Sequence, residues 1–415
     1  MFFTRKTLTA VAAGAAVSAA VAGCGANSSA SPTAAAGGQK SPGHTVTIGV
    51  LYDATGPGAS ANKTTTEGVK AGTQYAARNG YTVKYVLADT ETSPATALSA
   101  AQKLVTQDHV TAVIAQSGLT FAAASYLTAH HVPVIGSSAD GPEWETATNM
   151  FAVMGALHVS KVSTTFGQFF KSKGVTSLGT LGYGIAPQSA ASAKASAESA
   201  RAAGLKVGYV NAQFPLGSTD VGPVTLAMKD AAVDGVTSAT APNTSFALIT
   251  ALRQQGVGLK AALLPDGYGG DLLDAGPGAA NAAQDVYFAL GYEPVEMGTA
   301  ATRQFAADLR ATGTTGAPTY AEYNAYTSIG LLVRGLADAG GTPDPATLTT
   351  ALSKVHDWDA LGLFGGRRLD INDRETLIGG VDNCTWITQF KGTTFHLVPG
   401  ADPICGTAVN GVTVS

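Results

Sequence analysis

Short apolar runs alternate with helix-like stretches along most of this chain, and this alternation constrains its fold more than any other feature. The run TVTIGVLY at 45–52 precedes a helix-like stretch at 62–78, and another apolar run follows at 82–88. Strands that alternate with helices favour a parallel, doubly wound sheet with both faces covered. Further strand-like runs lie at 110–115, 132–135, 175–181, 206–210, 235–240 and 260–264.

The same pattern restarts after about residue 155, and a chain of 415 residues is long enough for two or three domains. Helix-like stretches then occur at 159–173, 188–203, 220–233 and 245–255. We predict two α/β lobes joined by a multi-strand hinge. Lobe 1 covers 45–155 plus about 293–357, and lobe 2 covers 156–292 plus about 358–415. Long helix-like stretches at 320–339 and 346–355 and strand-like pieces near the end cannot form a third sheet, so we expect them to pack on these lobes.

The composition excludes several classes of protein. Hydrophobic residues make up 45% of the chain and charged residues 13%, which excludes a disordered, highly charged protein. The net charge is −4, and no run of Lys or Arg exceeds two residues, so nothing indicates nucleic-acid binding. The sequence contains no complete nucleotide-binding, metal-binding or catalytic-nucleophile motif, and we predict no cofactor and no metal.

The N-terminus is typical of an exported protein. Arg5 and Lys6 precede an uncharged run at 7–22 that is short for a membrane span and suits a signal peptide. The run leads into VAGC at 21–24, which resembles the lipobox of bacterial lipoproteins. This resemblance implies a signal peptide at 1–23, a lipid on Cys24 and a flexible tether at 24–44. An ordinary signal peptide with an incidental cysteine is the alternative.

The chain has three cysteines, an odd number for an exported protein. If Cys24 carries a lipid, Cys384 and Cys405 remain as a pair. Export exposes them to oxidising conditions, so a disulfide is the favoured interpretation. A zinc site is the alternative, but it would need more nearby ligands than His396.

Two neighbouring predicted strands both end in small polar residues. The first leads into Gln116-Ser117-Gly118, and the next leads into Ser137-Ser138-Ala139-Asp140. Ligands of open α/β sheets bind outside the carboxyl ends of the strands. We therefore expect these residues to face a cleft between the lobes.

The order of these segments resembles the type I periplasmic binding proteins, in the branch of the leucine/isoleucine/valine-binding proteins of ABC importers. The resemblance runs from about 45 to 398. It rests on IGVLYDATGPGAS, VLADTETSPATALSAAQKLV, the two polar strand ends, VTLAMKDAAVDGV, LITALRQQGVGL and LLPDGYGG.

The resemblance also implies ligand contacts. The loop after the third strand would offer a hydroxyl and backbone N–H groups to a ligand carboxylate, and a helix N-terminus there favours an anion. The loop after the fourth strand would accept hydrogen bonds from the ligand's amino group, and Asp266 would neutralise the charge of an ammonium. The predicted ligand-binding residues are Ser117, Gly118, Leu119, Thr120, Ser138, Asp140, Tyr183, Asn243, Asp266 and Tyr268. Helix capping at Ser117 and Asp140, and a plain turn at Asp266, are the alternatives.

The predicted function is that of an extracytoplasmic solute-binding receptor of an ABC importer, monomeric and not an enzyme. It would be lipid-anchored to the outer face of the cell membrane and would deliver its ligand to permease subunits. Departures from the family's aromatic positions leave the ligand open among a branched-chain amino acid, an aromatic acid, an amide and other small amphipathic molecules. A sensory ligand-binding module and an exported amidase-like enzyme that uses the Ser117 loop are the alternative functions.

Overall fold

A sheet of five parallel strands forms the centre of the first lobe. The structure is a computed structural model that describes residues 43–138, 140–158, 160–376, 378–398 and 402–414. The strand order is β2-β1-β3-β4-β5, and every neighbouring pair is parallel. In chain order the elements are β1 (His44–Tyr52), α1 (Thr65–Arg78), β2 (Tyr81–Asp89), α2 (Pro94–Thr106), β3 (Ala112–Gln116), α3 (Phe121–Ala129), β4 (Val134–Gly136), α4 (Glu143–Thr146) and β5 (Met150–Ala152).

The second lobe is built on an eight-stranded sheet whose first five strands in the chain are also parallel. Its path is β13-β12-β11-β10-β9-β7-β8, and β14 pairs with β12. The elements that follow β5 are β6 (Lys161–Ser163), α5 (Thr165–Ser172), β7 (Ser177–Tyr183), α6 (Pro187–Ala202), β8 (Lys206–Phe214), α7 (Gly222–Asp230), β9 (Gly235–Ala239), α8 (Pro242–Gln254), β10 (Ala261–Leu264), α9 (Gly270–Asp274), α10 (Pro277–Ala282) and β11 (Tyr287–Leu290).

The last part of the chain contributes to both lobes. Two of its helices return to the first lobe, where α12 packs on α1, β3 and β4 and α11 packs on α1, while β12 and β13 extend the second sheet as antiparallel strands. Its elements are α11 (Ala300–Ala311), α12 (Tyr320–Ala339), α13 (Pro345–Leu352), β12 (Cys384–Lys391), β13 (Thr394–Leu397), β14 (Ile404–Cys405) and β15 (Ala408–Thr413).

The chain therefore passes between the lobes after β5, after β11 and after α13. The prediction of two α/β lobes with a multi-strand connection is confirmed. The close packing of α1 on α12 depends on small residues. A Cβ atom at Gly68 would lie 2.5 Å from the Glu322 backbone oxygen, and one at Gly72 would lie 2.6 Å from the Ile329 Cβ.

One predicted helix is wrong at its start. The sequence indicates a helix over 159–173, whereas Lys161–Ser163 form β6 and α5 spans Thr165–Ser172. β6 pairs in antiparallel fashion with β15, near the end of the chain. Pairing with so distant a segment outweighs local helical periodicity, which is all that a sequence window reports.

The predicted signal peptide, Cys24 and nearly all of the predicted tether lie outside the described residues. Within the described part of the chain, no helix is both long and apolar enough to cross a bilayer.

Candidate functional site

A cavity of about 320 Å³ lies between the two lobes. The first lobe contributes Ser137, which follows β4, together with Met154 and Tyr320. The second lobe contributes α6, the carboxyl ends of β9 to β11, and the segment at 378–385. Cavities of about 300–1,000 Å³ hold small organic ligands. The position and the size of this cavity both suit a small-molecule site.

One face of α6 forms a long wall of the cavity. Ser189, Ser192, Ser196 and Ser199 recur at helical spacing and line the cavity together with Ala195. Side chains this small leave open space between the helix and the sheet. The Ser189 hydroxyl donates to the backbone oxygen of Ala239, at the end of β9.

Two cavity-lining side chains have buried polar atoms without a hydrogen-bond partner among the described residues. These atoms are Oε1 of Gln188 and Nε2 of His158. Gln188 is only 7% exposed, and the other ring nitrogen of His158 lies 2.9 Å from a carboxylate oxygen of Glu145. Unpaired buried polar atoms are costly and rare in folded proteins. A ligand or water with hydrogen-bond donors would satisfy Gln188.

Asp266 follows β10 and lines the cavity. Its turn continues through Gly267, whose φ of +92° is a conformation that side chains rarely adopt. Burial raises the pKa of the Asp266 carboxyl to about 6. Because this carboxylate has no hydrogen bond to a described residue, a cation in the cavity would be stabilised beside it.

A second acidic residue, Asp271, interacts electrostatically with Asp266. Asp271, in α9, is buried, and neither of its carboxylate oxygens has a hydrogen-bond partner in the described structure. Burial, and then the charge of Asp266, raise the pKa of the Asp271 carboxyl well above its usual range. A raised pKa favours the neutral form of Asp271, so Asp266 is the residue that brings a carboxylate charge to the cavity wall. Among the described residues, no group of His, Cys, Asp and Glu is arranged to hold a metal ion.

The model of a family described as "Periplasmic binding protein" matches residues 45–394. The chain belongs to the periplasmic binding protein family. This confirms the family that the sequence segments indicate. No curated protein sequence matches this periplasmic binding protein significantly.

Solved structures share the fold of this periplasmic binding protein at low sequence identity. A leucine-binding protein, LivK, from Thermotoga maritima is 16% identical, with a TM-score of 0.71 over 87% of this chain and 99% of that chain. An ABC-transporter solute-binding protein from R. palustris, in complex with 4-hydroxybenzoate, is 19% identical, with a TM-score of 0.69 over 89% and 97%. LivJ from Streptococcus pneumoniae, in complex with isoleucine, is 18% identical, with a TM-score of 0.67 over 88% and 99%. These similarities confirm the type I periplasmic binding protein fold.

Of the ten residues predicted to bind the ligand, Asp266 is the one that lines the cavity. In the loop after β3, Ser117 Oγ and the Gly118 N–H donate to the carboxylate of Asp53. Ser117 Oγ also accepts from the Leu119 N–H, and the Thr120 hydroxyl donates to the Ser117 backbone oxygen. The loop does receive a carboxylate, and that carboxylate belongs to the protein itself.

The loop after β4 is also engaged internally. The Ser138 hydroxyl donates to the Gly155 backbone oxygen at 3.0 Å. Asp140 accepts from the Phe121 N–H at the start of α3 and from Trp144 Nε1. Burial, and then the neighbouring Glu143, raise the pKa of the Asp140 carboxyl well above its usual range.

The remaining predicted residues lie in the second lobe. Tyr183 and Thr244 share a hydrogen bond between their hydroxyls, and the Tyr268 hydroxyl donates to Glu296. Asn243 bonds with Ser60 of the first lobe. A ligand role for these three residues stays a prediction.

Sequence reasoning missed Gln188, His158 and the serines of α6. The serine spacing in PQSAASAKASAESARA is a signal that could have indicated a small-residue wall. No local sequence pattern indicates that Oε1 of Gln188 and Nε2 of His158 lack hydrogen-bond partners, because the surroundings of these atoms depend on the tertiary structure.

The predicted disulfide is confirmed, because Cys384 and Cys405 are bonded and face each other across β12 and β14. Gly379, Asn383 and Cys384 line the cavity. The disulfide thus ties one wall of the cavity to the end of the chain.

Proposed function

We propose that this protein is the extracytoplasmic solute receptor of an ABC importer and that its ligand binds in the cavity between the lobes. One observation carries the proposal: a cavity beside the carboxyl ends of the strands is lined by Asp266 and by Gln188, whose buried side-chain oxygen has no hydrogen-bond partner among the described residues. Membership of the periplasmic binding protein family supports this role. Relatives that share the fold were solved with isoleucine and 4-hydroxybenzoate, both small solutes.

The proposed ligand has an apolar body and at least one hydrogen-bond donor. Met154, Leu157 and Phe166 give the cavity apolar surface, while Asp266 and Gln188 are acceptors. An ammonium beside the Asp266 carboxylate would form a charge-assisted contact, among the strongest that a receptor offers.

The proposed cycle is closure of the two lobes on the ligand followed by docking on a permease. Three chain crossings form the hinge, and hinge closure around a ligand is a common use of such connections. The lobes are in contact here: the Gln188 N–H donates to the Asp140 backbone oxygen at 3.1 Å. We propose that the receptor acts as a monomer, since both walls of the cavity come from one chain.

Binding without chemistry is favoured over an amidase-like enzyme. The Ser117 hydroxyl, which that alternative would use as nucleophile, donates to Asp53 at 2.5 Å and is buried. Among the described hydrogen bonds, none links Ser117 to a histidine or lysine that could serve as its base. A sensory receptor would share this geometry, and loss of solute uptake on deletion of the gene separates transport from sensing.

We further propose export with a lipid anchor on Cys24. The support is the lipobox-like VAGC sequence at 21–24 after an uncharged run. A Cys24→Ala variant should leave the membrane fraction and appear in the soluble fraction, whereas a Cys384→Ala variant should remain membrane-bound. Persistent membrane association of Cys24→Ala would refute the anchor.

The receptor proposal is tested by thermal-shift screening against amino acids, their amides, the corresponding amines and aromatic acids. A ligand at 100 times its Kd should stabilise the protein by about 2.7 kcal/mol. Ser192→Phe fills the cavity and should abolish the shift, while Ser99→Phe, on the exposed side of α2, should preserve it. Equal shifts in both variants would place the ligand elsewhere and contradict the proposal.

A further inference from the structure

The cavity between the lobes is long in one direction. Its lining residues on α6 run from Gln188 to Ser199 along one face of the helix. At a rise of about 1.5 Å per residue, this face spans about 16 Å. One residue of an extended chain covers only about 3.5 Å. A single amino acid would therefore occupy one part of the cavity, and a ligand that fills it has to be elongated.

One end of the cavity lies at the carboxyl ends of the strands, where the lobes meet. The strands β9 and β10 are parallel neighbours, with Leu263 opposite Thr237. Asp266 follows β10 and Ala239 is the last residue of β9, so both lie at the same edge of the sheet. The Ser189 hydroxyl donates to the Ala239 backbone oxygen. The start of α6 and Asp266 therefore belong to the same end of the cavity.

The other end of the cavity lies within the second lobe. There the Ser199 hydroxyl accepts from the Gly167 N–H at 2.9 Å, and the Thr165 hydroxyl donates to the Asn383 backbone oxygen at 2.9 Å. Ser199, Thr165 and Asn383 all line the cavity. This end is thus formed by α5, the later turns of α6 and the segment at 378–385. A ligand that fills the cavity extends from the lobe interface into the second lobe.

Free hydrogen-bonding groups recur along this path. At the lobe interface, the side-chain oxygen of Gln188 is buried without a described partner, and the residue is only 7% exposed. Further along α6, the hydroxyls of Ser192 and Ser196 line the cavity, and neither bonds to a described residue. In the segment at 378–385, no described residue accepts from Nδ2 of Asn383. The cavity therefore offers both donors and acceptors along its length.

The spacing of the two serines matches an extended peptide. Ser192 and Ser196 are one helical turn apart, which is about 6 Å along the axis of α6. Groups on the same side of an extended peptide recur every second residue, at about 6.6 Å. Each peptide group carries an N–H donor and a carbonyl acceptor, and a hydroxyl can pair with either. An alkyl chain of the same length would leave these polar groups unpaired, which is costly.

We propose that the receptor binds an extended peptide of up to about four residues, with its terminal ammonium at Asp266 and its main chain along α6. This inference rests on the proposed receptor function and names the ligand class of the same cavity. Ser196 lies about 10 Å beyond Ser189 along the helix axis, so it contacts the third residue of the peptide and not the first.

The test measures how affinity depends on ligand length. Isothermal titration of the full-length protein with alanine, dialanine, trialanine and tetraalanine should show at least tenfold tighter binding of trialanine than of alanine. Ser196→Leu fills the far part of the cavity and should weaken trialanine binding at least tenfold, while dialanine binding changes less than threefold. Ala202→Leu adds the same side chain at an exposed position of α6 and is the matched control, which should bind both peptides like the wild type.

Ser196→Ala removes only the hydroxyl and covers the case in which Ser196→Leu does not fold. It should weaken trialanine binding about two- to tenfold and leave dialanine binding unchanged. Equal affinity of the wild type and Ser196→Ala for trialanine would overturn the inference. Tighter binding of hexylamine than of trialanine would indicate an apolar tail in the cavity and would also overturn it.

The same measurements separate this inference from the receptor function. Binding of a single amino acid that Ser192→Phe abolishes, with no gain for the longer peptides, would overturn the inference but leave the receptor function standing. Failure of every peptide and of every compound in the thermal-shift panel to bind would overturn both.

Discussion

The hydroxyl of Ser60, in the loop after β1, donates a hydrogen bond of 2.9 Å to the Asn243 side-chain oxygen at the start of α8. The Asn243 N–H is also 3.4 Å from the same hydroxyl. This contact joins the two lobes directly, and on the same side a Cβ atom at Gly217 of the second lobe would lie 2.2 Å from the Pro57 backbone oxygen. We interpret Ser60 and Asn243 as a latch that stabilises the closed arrangement.

Removal of the latch should speed ligand release. A net hydrogen bond contributes about 0.5–1.5 kcal/mol, so Ser60→Ala should weaken ligand binding about two- to tenfold. Most of the change should appear in the dissociation rate, measured by stopped-flow fluorescence. Ser99→Ala, whose hydroxyl bonds within its own helix, is the control and should bind like the wild type. An unchanged dissociation rate in Ser60→Ala would remove the latch from the mechanism.

Ligand affinity should depend on pH through Asp266. An amine ligand favours the ionised carboxylate, and the pKa of this carboxyl in the empty cavity is about 6. Protons therefore compete with the ligand below about pH 6, and affinity should fall by up to tenfold per pH unit there. Asp266→Asn should weaken binding at pH 7.5 at least tenfold and remove this pH dependence, while Asp230→Asn, on the exposed end of α7, should change neither. Titration calorimetry from pH 5 to pH 8 decides the matter, and a flat profile in the wild type would contradict the assignment.

Stability should depend on pH through Glu322. This residue forms a capping box with Thr319 at the start of α12, and burial raises the pKa of its carboxyl to about 7. A raised pKa means that the folded state binds the proton more tightly than the unfolded state. The contribution to the free energy of unfolding is therefore fully present below about pH 4.5 and is lost as the pH rises to about 7.

Glu322→Gln keeps the capping box and removes the buried charge, since Gln is equally suited to that position. Its free energy of unfolding should exceed that of the wild type by about 2 kcal/mol at pH 8 and equal it near pH 4.5. Urea denaturation at both pH values measures the difference. Glu375→Gln, on an exposed side chain, should show no such pH-dependent gain.

Loss of the disulfide should destabilise the cavity wall. Cys384 and Cys405 are separated by 21 residues, and a loop of this length corresponds to about 3 kcal/mol in the chain-entropy treatment. The Cys384→Ala, Cys405→Ala double variant should lose about that free energy of unfolding and should bind ligand more weakly, because Cys384 lines the cavity. Thiol titration of denatured, unreduced Cys24→Ala protein should find no free thiol, and two free thiols would refute the bridge.

Local sequence patterns were sufficient to predict helices that have their own capping signals and strands that are buried on both faces. The predicted helix at 320–339 coincides with α12, which has a capping box at its start and glycine at its end. The central strands β3 and β4 are buried along their whole length, so continuous apolar runs identified them. Among the strands that escaped prediction are the short strands β6 and β11, each of which pairs with a segment distant in the chain.

The sequence by itself indicated a two-lobed α/β protein that resembles the periplasmic binding proteins, and it favoured a disulfide between Cys384 and Cys405 over a zinc site, because periodicity, turn residues and the number of cysteines can be counted directly in the chain. Only the tertiary structure decided which side chains meet the ligand cavity. Asp53 and Ser117 are 64 residues apart, yet their hydrogen bond fills the loop that the sequence assigned to a ligand carboxylate. Gln188, on the wall of the cavity between the lobes, has a buried side-chain oxygen without a hydrogen-bond partner among the described residues. Such pairings depend on long-range packing, which leaves no periodic trace in the chain.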